Sequence, residues 1–263
     1  MHSQDLRAIL FDMDGVLYNA EQPIDGAVST LRWVREHAIS HLFVTNTSSR
    51  GRAALVEKLA QFGMDATADQ ILNPGVTAAK WIRSQPSGKV ALFVRPAARA
   101  DFSGLDLLPD SAETGASYVV IGDLGQAWDY GTLNRAFRLL VHNPEARLIA
   151  LGMTRYWQTP DGLALDVAPF VVALQHAAGR QAVVLGKPAA AFFLAAAERL
   201  ALPPGSAVMV GDDLHTDIAG AQAAGLKALL VKTGKFRPAD LECEVTPDAI
   251  LDSVADLPAW WGR

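Results

Sequence analysis

The chain has 263 residues, enough for one large domain or two moderate ones. Half of them are hydrophobic and 19% are charged, a globular composition, and a net charge of -5 leaves no excess of Lys and Arg to neutralise phosphates, which excludes nucleic acid as a partner. A single cysteine, Cys243, excludes an internal disulfide and fits a reducing compartment. No apolar run approaches the ~18 residues of a membrane helix, and the start of the chain lacks the apolar core and cleavage site of a signal peptide. A soluble, cytoplasmic protein without a membrane partner is expected.

The run Ala8 to Phe11 reads as a strand buried on both faces of a parallel sheet, and it breaks off at Asp12, Met13, Asp14 and Gly15. Carboxylates there would occupy the crevice where open α/β sheets bind ligands. Alone, the same residues are equally an ordinary solvated turn. A helix is predicted over Ala27 to Glu36, then a strand His41 to Thr45 ending in Asn46, and a helix Arg50 to Phe62 closed by Gly63. Asn73-Pro74 opens a helix through Arg83.

After the loop Gln85 to Lys89, strands are expected at Val90 to Val94, Ser117 to Ile121 and Arg147 to Leu151. Helices are expected at Tyr130 to His142 and Pro169 to Ala178, with a tight turn at Asp161-Gly162. Residues 87–180 read as an inserted, smaller α/β domain. Strand candidates then return: Ala182 to Leu185 before Gly186-Lys187-Pro188, Ala207 to Val210 before Gly211-Asp212-Asp213, and Ala228 to Val231 before Thr233-Gly234. The expected fold class is α/β, a Rossmann-like doubly wound parallel sheet formed by residues 1–86 and 181–263.

Four strand ends therefore carry Asp12/Asp14, Thr45/Asn46, Lys187 and Asp212/Asp213/Asp217. This set suits phosphoryl transfer. A carboxylate can attack phosphorus and carry the group as an aspartyl phosphate. A hard cation such as Mg²⁺, held by carboxylate oxygens, offsets the repulsion between aspartates and a phosphate dianion. Lys187 adds a positive charge, and Thr45 and Asn46 add neutral donors.

In this order, Asp-Met-Asp-Gly at 12–15, Thr-Asn at 45–46, Gly-Lys-Pro at 186–188 and Gly-Asp-Asp at 211–213 resemble the haloacid dehalogenase superfamily. An insertion between the second and third motifs resembles the subclass with a large α/β cap, subfamily IIA. Asp161 to Leu165, Val183 to Pro188 and Val231 to Pro238 are similar to the branch containing phospholysine phosphohistidine inorganic pyrophosphate phosphatase. The resemblance implies Asp12 as nucleophile and Mg²⁺ ligand. It implies Asp14 as general acid, then base, with its backbone carbonyl on the metal. Thr45, Asn46 and Lys187, with backbone amides near Met13 and Asp14, would hold the phosphoryl group. Asp212 would be the third protein ligand. Asp213 and Asp217 would stand behind it, holding metal-bound water or Lys187. For Asp213, a solvated acid at a helix start is as good a reading as metal contact.

Around Arg155 the resemblance implies a substrate loop in the cap, although its neighbouring aromatics fit ordinary packing equally well. Lys232, Lys235 and Arg237 read as solvated surface. The expected partner is a small phosphorylated metabolite, with a homodimer through the cap implied by the resemblance. The expected activity is Mg²⁺-dependent hydrolysis of phosphate esters. The alternatives are a pyrophosphatase or phosphoramidase and, from a different class, a phosphate-binding regulator with little turnover. Animal members of the resembling branch carry serine where this chain has Asp14. The acid favours esters with poor leaving groups over pyrophosphate or P–N bonds.

Overall fold

The computed structural model describes residues 6–159 and 162–262. These form two compact units: residues up to Thr45, Ala53–Leu72 and Lys187 onward in the first, and Asn46–Arg52 with Asn73–Gly186 in the second.

In chain order the first unit begins with β1 (Ala8–Asp12), β2 (Tyr18–Asn19), β3 (Gln22–Pro23), β4 (Ser40–Val44) and β5 (Ile71–Leu72). The second holds β6 (Val90–Phe93), β7 (Tyr118–Ile121), β8 (Arg147–Ala150), β9 (Tyr156–Thr159), β10 (Gly162–Leu165) and β11 (Ala182–Val184). The chain returns to the first unit with β12 (Ala207–Gly211), β13 (Lys227–Val231) and β14 (Ala249–Leu251). The main sheet has the order β14-β13-β12-β1-β4-β5, and every pairing in it is parallel. Its central strand β1 is buried at all five positions, because it lies between two strands and helices cover the faces. On one face Ile9, Phe11, Phe43, Val208 and Val210 meet Leu31 and Val34 of helix Ala27–Glu36 and Leu55 and Leu59 of helix Arg52–Gln61. Parallel pairing puts the carboxyl ends of β1, β4, β12 and β13 on one edge.

In the second unit β11-β8-β7-β6 form a parallel sheet, and β9 and β10 form an antiparallel hairpin. This unit is larger than the expected 87–180. Asn73 caps helix Pro74–Arg83 by accepting from Val76 N–H at 2.9 Å, and its amide donates to Asp101 at 2.7 Å. Arg52 donates to the other oxygen of Asp101 at 3.1 Å. These bonds tie helix 74–83 and segment 46–52 to the second unit. The expected return strand, Ala182 to Leu185, is β11 and pairs with β8, so it extends the second sheet instead of the first. Asp161 of the predicted turn lies outside the described residues. Among the described residues, no helix is long and apolar enough to cross a membrane.

Candidate active site

Asp12 is the last residue of β1 and is 6% exposed. The chain then folds back, with Leu17 N–H donating to Met13 C=O at 2.9 Å and Gly15 N–H to Tyr18 C=O at 2.7 Å. Gly15 has φ = 91°, a conformation that favours glycine. Asp14 is thereby left exposed beside the buried Asp12. Its carboxyl is raised above the ordinary range, first by loss of water to the surrounding chain and next by repulsion from Asp12. Lys235 opposes this.

Two strands away from β4, Asp212 follows β12 and is 1% exposed. One oxygen, Oδ2, accepts Lys235 N–H at 2.6 Å, while Oδ1 is buried without a hydrogen-bond partner. Burial, with Asp12 and Asp217 nearby, pushes its carboxyl up to about 8. Asp213 caps the π-helical segment Leu214–Ala219, accepting from His215 N–H at 3.0 Å and Thr216 N–H at 2.9 Å. Burial works to raise the Asp213 carboxyl, but these bonds and Lys235 outweigh it and hold the group below its usual value. This turn carries Asp217 back under Gly211, where any side chain on Gly211 would collide with it.

Lys187 is 3% exposed, with Nζ 2.6 Å from Asp12 Oδ1 and 2.7 Å from Asp217 Oδ1. Burial alone would lower its pKa, but the two carboxylates outweigh it and raise the value. Burial raises Asp217 to about 6 even against the pull of Lys187. Thr45 is buried at the end of β4, its N–H donating to Leu72 C=O at 3.1 Å.

The structure thus brings together Asp12, Asp212, Asp217 and Lys187, with Asp14 and Asp213 beside them. Carboxylate oxygens of Asp12, Asp212 and Asp217 lie within 4.8 Å of one another and could hold a metal ion. Three buried carboxylates against one lysine, one of them with an orphaned oxygen, are a donor set short of positive charge. A hard divalent cation fits it. Asp217 was expected behind the ligands, holding metal-bound water or Lys187. Its Oδ1 is 2.7 Å from Lys187 Nζ, and the π-helical turn also sets it close to Asp12 and Asp212. Asn46 and Arg155 belong to the second unit. There Asn46 packs close to Gly186, and the exposed Arg155 guanidinium lies 5.7 Å from the Tyr156 ring centroid. The side chain of Trp157 lies outside the described residues.

The surface reading holds for the Lys235 side chain, and its backbone adds a contact that the reading did not include. Lys232 does pair with Asp252 at 2.7 Å at the surface. Lys235, though exposed, has its N–H on Asp212 and feels Asp12, Asp212 and Asp213, which raise its pKa against burial. Thr233, Gly234 and Lys235 have no site role in the sequence reading, although they lie in the Val231 to Pro238 stretch that carries the resemblance and directly after a buried strand on the same sheet edge.

The raised carboxyls have a consequence for the metal-free protein. Asp212 titrates near 8 folded and near 3.8 free, so between those values the folded state holds a proton that the unfolded state has released. Stability therefore falls as pH rises through that window. Thermal unfolding in EDTA is expected to drop on the order of 5 °C from pH 5 to pH 8. Asp212→Asn should flatten the slope, and an unchanged slope would contradict the assignment.

Strand-end aspartates and a buried lysine on the carboxyl edge of a parallel sheet define an α/β enzyme of the hydrolase type. A family model described as haloacid dehalogenase-like hydrolase matches residues 9–107, and one described as HAD-hydrolase-like matches residues 184–257. The chain is 38% identical over 254 residues to haloacid dehalogenase-like hydrolase domain-containing protein 2 of Bos taurus, covering 93% of this chain and 95% of that one. It is 34% identical over 256 residues to phospholysine phosphohistidine inorganic pyrophosphate phosphatase of Homo sapiens, covering 95% and 92%. Among solved structures, p-nitrophenyl phosphatase from Archaeoglobus fulgidus matches with a TM-score of 0.87 at 28% identity, covering 96% of this chain and 98% of that one. The 4-nitrophenylphosphatase from Thermotoga maritima gives 0.89 at 26% identity, covering 98% and 99%. The chain belongs to the haloacid dehalogenase-like hydrolases.

Proposed function

We propose that this hydrolase is a Mg²⁺-dependent phosphatase that cleaves small phosphate esters through a phosphoryl group carried on Asp12. The observation that carries the reading is the buried Lys187 ammonium 2.6 Å from Asp12 Oδ1, beside the unpartnered Asp212 Oδ1. A lysine there can neutralise a phosphoryl oxygen at the atom where the nucleophile must attack. The names of the relatives and of the solved structures point the same way.

Asp12 attacks phosphorus and the ester oxygen departs, taking a proton from Asp14. Asp14 then takes a proton from water, which attacks the aspartyl phosphate and returns Asp12 as a carboxylate. Lys187, Thr45 and Asn46 hold the phosphoryl oxygens through both steps. Mg²⁺ would be held by Asp12, Asp212 and the Asp14 carbonyl, and would supply positive charge against the repulsion between the aspartates and the phosphate dianion. Asp217 keeps Lys187 charged and in place, and Asp213 shapes the turn that carries Asp217. The second unit, residues 46–52 and 73–186, is read as the cap, and Arg155 as a contact for the leaving group.

The test is p-nitrophenyl phosphate hydrolysis with Mg²⁺ and with EDTA. Activity is expected to fall at least about 100-fold in EDTA and to return with Mg²⁺. Turnover that ignores EDTA contradicts the reading. Inorganic pyrophosphate hydrolysed faster than a panel of phosphate esters would favour the phosphoramidase-type alternative.

A further inference from the structure

Three loops meet around Asp212, one from each of the adjacent strands β1, β12 and β13. Gly15 follows β1 and is held at both ends: its N–H donates to Tyr18 C=O at 2.7 Å and its C=O accepts the Thr233 hydroxyl at 2.5 Å. Gly234 follows β13 with φ = 65°. A side chain at either Gly15 or Gly234 would collide with Asp212 Oδ2, so both backbones lie directly against that oxygen. The same oxygen accepts Lys235 N–H at 2.6 Å. Next along the chain, the Arg237 guanidinium donates to the carbonyls of Lys235 and Phe236 at 2.9 and 2.8 Å, which stiffens the segment.

We infer that Thr233, Gly234 and the Lys235 N–H form a clasp that positions Asp212 and the Asp14–Gly15 peptide for the cation. The inference rests on the reading that Asp212 and the Asp14 carbonyl are metal ligands. Lys235 N–H and the two glycines take up Oδ2 and fix the carboxylate plane. Oδ1 is left as the oxygen without a hydrogen bond. Thr233 and Tyr18 hold the two peptides that flank Gly15, so the carbonyl of Asp14 cannot swing away. The clasp thus presets two expected ligands through one hydroxyl and one N–H. Thr233 acts through other groups and is a positioning residue.

The test is metal affinity without substrate, measured by calorimetry with Mg²⁺ and by electron paramagnetic resonance with Mn²⁺ on the full chain. Thr233→Val keeps the shape and removes the hydroxyl. It is expected to weaken binding roughly 10–100-fold, as losses behind the ligands do. Thr233→Ser restores the hydroxyl and should bind within about twofold of wild type. Circular dichroism in EDTA checks that each variant is folded. Val binding as tightly as Thr overturns the clasp, and so does Ser failing to rescue. An unfolded Thr233→Val overturns it as well, since the hydroxyl would then hold the fold instead of positioning the Gly15 backbone beside Asp212. Wild type that binds neither cation sinks the metal reading itself, an outcome distinct from these.

Discussion

Asp12→Asn is expected to lose at least about 10⁴-fold in kcat on p-nitrophenyl phosphate, the scale seen when a covalent nucleophile is removed. The amide matches the carboxylate in shape but cannot attack phosphorus. The fold should survive, because Lys187 keeps Asp217 at 2.7 Å and the repulsion among three buried acids is relieved. A normal melting temperature with lost turnover is therefore the expected pair of results. Asp12 is the last residue of the fully buried central strand. Activity above about 1% of wild type would mean that another group attacks.

Lys187→Met should damage both stability and catalysis. The ammonium is the cation between Asp12 and Asp217, and removing one partner of a buried ion pair typically costs about 3–5 kcal/mol. The loss should be larger at pH 8 than at pH 5. Asp217 titrates near 6, so at low pH it is protonated and needs no counter-charge. Added Mg²⁺ should restore part of the melting temperature through the acids that remain. It should not restore turnover, which is expected to stay down about 10³-fold because the phosphoryl oxygen has lost its donor. Equal stability at both pH values would contradict the charge balance described for this cluster.

Much of this site could be read from residue order. An apolar run that stops at polar residues marks a strand end, and Asp12, Thr45, Asp212 and Lys187 all sit where such runs stop. Helix Ala27–Glu36 was legible for a similar reason, since Leu31 and Val34 share one buried face. Other features depend on contacts between distant segments and leave no periodic trace. β5 and β14 are two and three residues long, too short for any hydrophobic pattern. β11 follows the same apolar-then-polar rule as the main-sheet strands, so only its pairing with β8 reveals which sheet it joins. The limits of the second unit turn on Arg52 and Asn73 both reaching Asp101, bonds that span 49 and 28 residues. Asp217 was expected behind the ligands, holding metal-bound water or Lys187, and it pairs with Lys187 at 2.7 Å. The π-helical turn from Asp213 that carries it there leaves no periodic trace in the sequence. Lys235 looked like surface charge because its side chain is; its contact with Asp212 is made by a backbone N–H that composition does not show.

The most direct test of phosphoryl transfer to Asp12 is to quench the enzyme in acid during turnover of p-nitrophenyl phosphate with Mg²⁺ and map the modified peptide by mass spectrometry. Acid preserves an acyl phosphate long enough to locate it. One phosphoryl group is expected on the peptide that spans Asp12, lost on treatment with hydroxylamine and absent from Asp12→Asn. A phosphoryl group on any other residue, or modification that persists in Asp12→Asn, would contradict the mechanism.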